Sequence, residues 1–261
     1  MTTLKFYTHT VKILLLAAIS TSCGNLPNAE SKEPLNTKNP NLILASIKYE
    51  PPPPPTTSGE PTGRGGQGGA GRGCEPTALV PTILGKNRNY LWGQTVSSRP
   101  QFWFALPRNL TKKDAVEFVL KDNQGKEIYK TTLKSEVPHG IVSFNVPNTT
   151  PPLQTNKIYS WSFSVYCDVD TVEDKPGSVE GSIQRVTIST KLKNQLTGAK
   201  TPIEQAGIYA QNGIWFDALT SIAVNMRATK SKDASLAWNE LLTQVKLEKI
   251  AKLPVTNCCT K

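Results

Sequence analysis

Between about residues 77 and 190, apolar and polar side chains alternate with a period of two, the pattern of strands with one buried and one wet face. The clearest stretch runs Tyr159-Ser160-Trp161-Ser162-Phe163-Ser164-Val165-Tyr166-Cys167. Tyr159, Trp161, Phe163, Val165 and Cys167 share one face, and Ser160, Ser162 and Ser164 share the other, as in antiparallel sheets. Residues 101–106 are apolar on both faces and stop at Pro107, which predicts a central strand. Residues 115–121 and 127–133 flank Asp122-Asn123-Gln124-Gly125 and predict a hairpin. Residues 141–146 and 183–190 complete the set. Short strands separated by Pro, Gly and Asn clusters predict a mostly β fold, an antiparallel sandwich of the immunoglobulin-like kind over 74–190.

Beyond residue 200 the period changes. Thr201-Pro202-Ile203-Glu204 places Thr at an N-cap, Pro at the first helical position and Glu where it closes a capping box. Gly213 interrupts, and a second helix is predicted from 214 to about 226. Trp215, Leu219, Ile222 and Met226 form its apolar stripe. A third helix is predicted near Ala234, capped by Asp233 or Ser231, with Trp238, Leu241, Leu242 and Val245 on one side. Pro254 ends the regular structure. The region 191–253 therefore reads as a helical hairpin or small three-helix unit packed on itself or on the sandwich, followed by a tail, 254–261.

The N-terminal quarter has a different texture. Lys5 and Lys12 precede the apolar run 13–19, and Ser20-Thr21-Ser22 follow, the order of a secretory signal over 1–22. The run is far shorter than the ~20 residues of a spanning helix. Cys23 then stands where a lipoprotein carries its acyl groups, although Ser20 occupies the position where that motif places an aliphatic residue. Cleavage after Ala18-Ile19-Ser20 is the competing reading. Residues 23–73 read as a disordered Pro/Gly-rich linker, with five prolines at 51–55 and eleven residues of Gly-dense sequence at 63–73. Within it, 42–47 is apolar and predicts a short strand docked on the head.

Five cysteines occur: Cys23, Cys74, Cys167, Cys258 and Cys259. Cys74 lies where the linker meets the first strand and Cys167 ends the strongest strand, so the two are the disulfide candidate. Their bridge would close a loop worth roughly 4–5 kcal/mol in the chain-entropy model. A metal or catalytic role for Cys167 with Asp168, Asp170 and His139 is the weaker alternative. Adjacent Cys258 and Cys259 rarely bond each other without strain, and are candidate intermolecular thiols.

The remaining chemistry is sparse. His139 and His9 are the two histidines, and His9 falls in the signal, so a multi-histidine metal site is excluded from the mature chain. No Walker lysine or dinucleotide fingerprint is present. Neither a catalytic residue, a metal site nor a cofactor is expected. The acidic run 168–174 lacks the EF-hand spacing and reads as a solvated hairpin loop. The chain carries a net charge of +10, and the segment 191–261 holds ten basic against five acidic residues, scattered rather than clustered.

The order of these motifs resembles a mainly cyanobacterial family of exported proteins, the domain of unknown function 928. The resemblance is carried by the proline run, Arg72-Gly73-Cys74, Thr77-Ala78-Leu79-Val80-Pro81, Pro100-Gln101-Phe102-Trp103-Phe104 and Glu117-Phe118-Val119-Leu120. Gly140-Ile141-Val142, Tyr159-Ser160-Trp161-Ser162-Phe163, Cys167-Asp168 and Gly181-Ser182-Ile183-Gln184-Arg185-Val186 continue it. Gly213-Ile214-Trp215-Phe216-Asp217-Ala218-Leu219 and Trp238-Asn239-Glu240-Leu241-Leu242 close it, over roughly 47–253. It implies an exported cyanobacterial protein and no reaction, so no catalytic residue is carried over. The Cys258-Cys259 ending lies outside the pattern.

Together these features predict an exported, non-enzymatic binding or assembly module of the cell envelope, periplasmic, lipoprotein or secreted. Its partner is expected to be an envelope protein or glycan, with a membrane tether through Cys23 and no nucleic acid. Two alternatives belong to other classes. One is a periplasmic hydrolase using carboxylates such as Asp168, Asp170 or Asp217. The other is an RGG-type RNA binder using 61–73, where only Arg64 and Arg72 are charged and no aromatic interleaves them.

Overall fold

The computed structural model describes residues 46–53, 73–85, 89–168 and 176–256. The signal segment 1–22, Cys23, Asp170 and Cys258-Cys259 lie outside the described residues. The fold is mostly β with α: among the described residues, nine strands in two sheets, then four helices. The strands are β1 (Thr77–Ala78), β2 (Thr82–Leu84), β3 (Asn89–Thr95), β4 (Gln101–Ala105), β5 (Ala115–Lys121), β6 (Glu127–Leu133), β7 (Ile141–Asn145), β8 (Lys157–Tyr166) and β9 (Gly177–Arg185). The helices are α1 (Thr190–Gly198), α2 (Pro202–Gln211), α3 (Trp215–Thr229) and α4 (Lys232–Thr243). A three-stranded sheet has the order β1-β4-β7 and a six-stranded sheet the order β2-β3-β9-β8-β5-β6.

Strand β4 explains the layering. Its alternate residues serve two different cores. Phe102 and Phe104 turn to the six-stranded sheet, where Phe104 stacks on Phe163 at 4.2 Å and Phe102 meets Phe118 at 4.8 Å. Trp103 faces the other way, edge-on to Trp238 of α4, and its indole N–H donates to Thr220 Oγ1 of α3 at 3.0 Å. All three rings are buried. The helices thus close the outer face of the three-stranded sheet.

The pairing corrects two expectations. The six-stranded sheet is not purely antiparallel: β3 runs parallel to β9, with Trp92 opposite Ser182 and Thr95 opposite Arg185. The last strand lies at Gly177–Arg185 rather than 183–190, and Ser189 instead caps α1, accepting from the Leu192 N–H. The early part of β9 hides from hydropathy because two of its inward positions are glycines whose space is taken. A Cβ at Gly177 would strike the Cys74 carbonyl, and one at Gly181 would strike the Trp161 ring across the ladder. Strand β3, also unforeseen, carries Gly93 in mid-strand. A Cβ there would come within 3.1 Å of Phe216 and 3.2 Å of Trp215, so the glycine lets α3 lie close against the sheet.

The apolar stretch expected as a strand behaves differently over its described part. Residues 46–53 form an extended strap, outside either sheet, against the helices. Ile47 and Tyr49 are buried in the core. The Ile47 N–H donates to Glu240 Oε2 at 3.0 Å, and the Tyr49 N–H donates to Gln244 Oε1 at 2.8 Å. The Gln244 amide donates back to the Ile47 carbonyl, and the Glu50 N–H reaches the Ala210 carbonyl at 3.1 Å. Side chains of α4 and of the turn after it thus satisfy backbone groups that a sheet would otherwise pair. The strap passes over Gly213, whose φ of 75° ends α2 and whose missing Cβ leaves room for Pro52 and the Glu50 carbonyl.

A disulfide joins Cys74 to Cys167 across a sequence separation of 93 residues, with Cα atoms 6.2 Å apart. It fastens the start of the first described strand region to the end of β8, beside Gly177. Replacing both cysteines with Ser should lower unfolding stability by about 3–5 kcal/mol, read from denaturant midpoints. Wild-type protein under reductant should show the same loss; an unchanged midpoint in both would rule out the bridge as a staple.

Candidate functional site

One well-defined cleft has a volume of about 790 Å³. It lies beside β2, the short edge strand of the six-stranded sheet. The hairpin contributes Ile83, Leu84 and Leu91, the approach from β1 contributes Val80 and Pro81, and the strap contributes Tyr49 and Pro51. The turn after α4 closes the remaining side with Gln244, Val245, Lys246 and Leu247. The walls are mainly apolar, and Lys246 is the one charged residue among the described residues of the lining. Leu84 is 81% exposed at the rim.

The turn has defined geometry. The Leu247 N–H donates to the Leu242 carbonyl at 2.9 Å and the Lys246 N–H to the Thr243 carbonyl at 3.1 Å, the two bonds of a Schellman end. Lys246 occupies the left-handed position, φ 63°, that glycine usually holds. On the opposite wall, β2 pairs with β3 on one side only. The Trp92 N–H donates to the Pro81 carbonyl at 3.2 Å. By the alternation of an antiparallel ladder, the Ile83 backbone also turns to β3, while the N–H and C=O groups of Thr82 and Leu84 turn outward. The cleft therefore offers apolar walls, outward backbone donors and acceptors, and one ammonium.

Of the carboxylates singled out from the sequence, the two that are described, Asp168 and Asp217, do not converge. Asp217 lies in the first turn of α3, half-buried, where it accepts from Thr95 Oγ1 at 2.6 Å and from the Val96 N–H at 3.2 Å. Burial raises its carboxyl to about 6, against the lowering effect of those hydrogen bonds. Asp168 stands past the other end of β8, and its N–H donates to Asp114 Oδ1 at 3.0 Å. Thr95 pairs with Arg185 at one end of the β8–β9 ladder, and Val165 pairs with Gly177 at the other. That ladder is about 26 Å long at ~3.3 Å per residue. Asp168 and Asp217 therefore cannot act on one substrate bond. His139 is exposed in a turn, its N–H donating to Asn109 Oδ1. The Cys167 sulfur is spent in the disulfide, which removes it as a ligand or nucleophile. Among the described residues no group of three or more His, Cys, Asp or Glu side chains could hold a metal ion.

Asp114, which the sequence did not single out, is the buried anion of the fold. Burial pushes its carboxyl up, but hydrogen bonds from the Thr111 and Asp168 N–H groups, Arg108 and the Thr111 hydroxyl outweigh it and hold the group at about 2. Arg108 Nη2 lies 2.7 Å from Oδ1. The signal was local: Thr111 and Asp114 stand three apart at a turn. Its task is to fix the loop before β5 to the residue after Cys167.

The two acids oppose each other in pH dependence. Asp217 has a folded value above its unfolded one, so its contribution is full below about pH 4 and is lost as pH rises through 6. Asp114 has a depressed folded value, so its contribution is full above about pH 4 and is lost as pH falls through 2. Asp217→Asn should abolish the decline between pH 4 and 6, leaving the variant more stable than wild type at pH 8 by up to roughly 3 kcal/mol. Chemical denaturation at pH 4 and 8 checks this; equal stability of the two proteins at both pH values would refute the buried carboxylate.

The model of a family described as Domain of Unknown Function (DUF928) matches residues 63–255. No curated protein matches the sequence. Two crystal structures of the Parabacteroides merdae β-glucuronidase, one with glycerol in its active site, are 15% and 17% identical to this chain. They align over 43% and 42% of it with TM-scores of 0.26 and 0.24. The chain spans about 13% of the length of those enzymes. The C-terminal domain of wzt is 12% identical over 45% of this chain and 78% of that one, with a TM-score of 0.26. At such scores none of these likenesses bears on function.

Proposed function

The chain belongs to the DUF928 family, and we propose that it is an exported, non-enzymatic binding or assembly module of the cell envelope. In this reading the two sheets form an immunoglobulin-like sandwich, with the C-terminal helices as a unit packed on the β1-β4-β7 sheet. The single observation that carries the binding role is the apolar cleft between the β2–β3 hairpin, the strap and the turn after α4. Its volume lies within the usual range of ligand pockets, roughly 300–1,000 Å³. Its described lining is mainly apolar side chains with one lysine, which suits holding a ligand or an extended segment of a partner. Export is supported by the basic-then-apolar start of the sequence and by the Cys74–Cys167 bridge, since structural disulfides persist in oxidising compartments. Tethering through Cys23, and a protein or glycan of the envelope as partner, belong to the same proposal.

The carboxylate hydrolase is the second reading: Asp168 and Asp217 lie too far apart to act together, and Asp170 lies outside the described residues. The RNA-binding alternative rests on residues 61–73, all but Gly73 outside the described residues.

Intact mass of the protein from its native host tests the address. The expected chain lacks residues 1–22, starts at Cys23 with added acyl groups or near it without, and gains about 2 Da on reduction for the one bridge. A chain retaining Met1 with both cysteines reduced would overturn export. An apolar fluorescent dye such as ANS tests the cleft. Leu84→Asp and Val245→Asp should each reduce dye binding severalfold; for exposed Leu84 the stability change should stay within about 0.5 kcal/mol. Undiminished dye binding in both variants would place the ligand surface elsewhere.

A further inference from the structure

A second, smaller cleft of about 320 Å³ lies at the corner between α3 and α4, away from the apolar one. Met226, Arg227, Lys230, Ser235 and Val255 line it, so among the described residues two cations and no acid border the space. The Arg227 guanidinium lies over the Trp103 ring, 4.6 Å from its centroid. Its Nη2 donates to Ser143 Oγ at 3.0 Å and to the Thr256 carbonyl at 2.8 Å. Its Nε is buried without an acceptor, and Nη1 makes no hydrogen bond among the described residues. No carboxylate there pairs with it, although burial works against its charged form. A half-buried cation held without a counter-charge is costly unless something supplies one.

Lys230 adds a second sign of selection for charge. It ends α3 in the left-handed conformation, φ 50°, its N–H donating to the Met226 carbonyl at 3.1 Å. Glycine adopts that conformation freely, and Asn and Asp tolerate it. Among the described residues the positive-φ positions outside glycine are Asn156, Asp168, Lys230 and Lys246. Lys230 therefore accepts backbone strain at a position that lines the cleft. Asp233, in the first turn of α4, is exposed and forms no ion pair with either cation.

We infer that this corner binds a tetrahedral oxyanion, the phosphate or sulfate group of a small ligand, between Arg227 and Lys230. The donor set selects the class. Because Nη2 is spent on Ser143 and Thr256, the guanidinium cannot offer the two-point fork that suits a carboxylate. A single contact from Nη1 with a separate ammonium suits an anion that carries several oxygens in different directions. The volume falls at the small end of ligand pockets, which fits a monoester of a small alcohol or sugar. The proposal does not depend on the function assigned to the apolar cleft, which lies beyond the other end of α4.

Titration calorimetry with inorganic phosphate, sulfate, glycerol phosphate and acetate, at fixed ionic strength, tests it on the whole mature chain. Saturable binding is expected for phosphate, sulfate or the ester, with acetate at least about tenfold weaker. Quenching or a shift of tryptophan emission should accompany it through Trp103. Lys230→Gly removes the charge and relieves the backbone, so binding should weaken about fivefold while the thermal midpoint stays level or rises. Arg227→Lys should weaken it further. Tighter binding of the ester than of free phosphate identifies an organic ligand; the reverse identifies the ion itself. Unchanged affinity in Lys230→Gly and Lys230→Glu, or no saturable binding of any of the three tetrahedral anions, would overturn the site.

Discussion

The structure depends on β4 being buried on both faces. Phe102 and Phe104 complete an aromatic layer with Phe118, Phe144, Trp161 and Phe163, while Trp103 between them belongs to the layer beneath the helices. One strand thus carries two cores that cannot be separated. The helices are needed to cover Trp103, Ile141 and Ser143, and α3 in turn is needed to cover β3 through Gly93. Removing the helices would leave a strand of large rings open to water on one face, a surface that isolated soluble sheets do not tolerate. The clefts follow from this arrangement, since both open at opposite ends of α4 where the helical layer runs out.

Much of the architecture was legible because its signals are local. Alternation marked β5, β6, β7 and β8 within a residue or two, and the double-sided apolarity of 101–106 announced β4 as a central strand. The Thr201 cap is real, accepting from the Glu204 N–H, although Glu204 reaches back to the Lys200 N–H, one residue beyond the usual partner. What escaped was set by long-range packing. Gly93, Gly177 and Gly181 read as breaks, yet each stands where a ring or a backbone from elsewhere fills the missing side chain's place. Helix α1 escaped because Leu192 is its one buried residue, too little for a stripe. The parallel pairing of β3 with β9 joins segments some ninety residues apart, and no local pattern encodes it.

The sites were less legible for the same reason. A carboxylate in a sequence carries no mark of its neighbours, so nothing local told that Asp168 and Asp217, both candidates for carboxylate chemistry, lie toward opposite ends of a sheet. Asp114 looked ordinary, yet its carboxylate accepts five hydrogen bonds. Lys230 and Lys246 end their helices in a conformation that sequence rules assign to glycine, so each helix end hid both its geometry and its charge. The cysteine pair was the exception, because its two positions coincide with strand boundaries.

The strap gives the molecule a direction of strength. A load applied from the N-terminal side enters at residue 46 and runs along the hydrogen bonds that join Ile47, Tyr49 and Glu50 to Glu240, Gln244 and Ala210. These bonds, with the buried rings of Tyr49 and Trp215 behind them, act as the first clasp. If they open, the pull passes along the chain to Cys74. There it meets a covalent bond to β8, the innermost long strand. The head would then hang from its own sheet, with the strap serving as a reversible shock absorber ahead of a link that cannot slip.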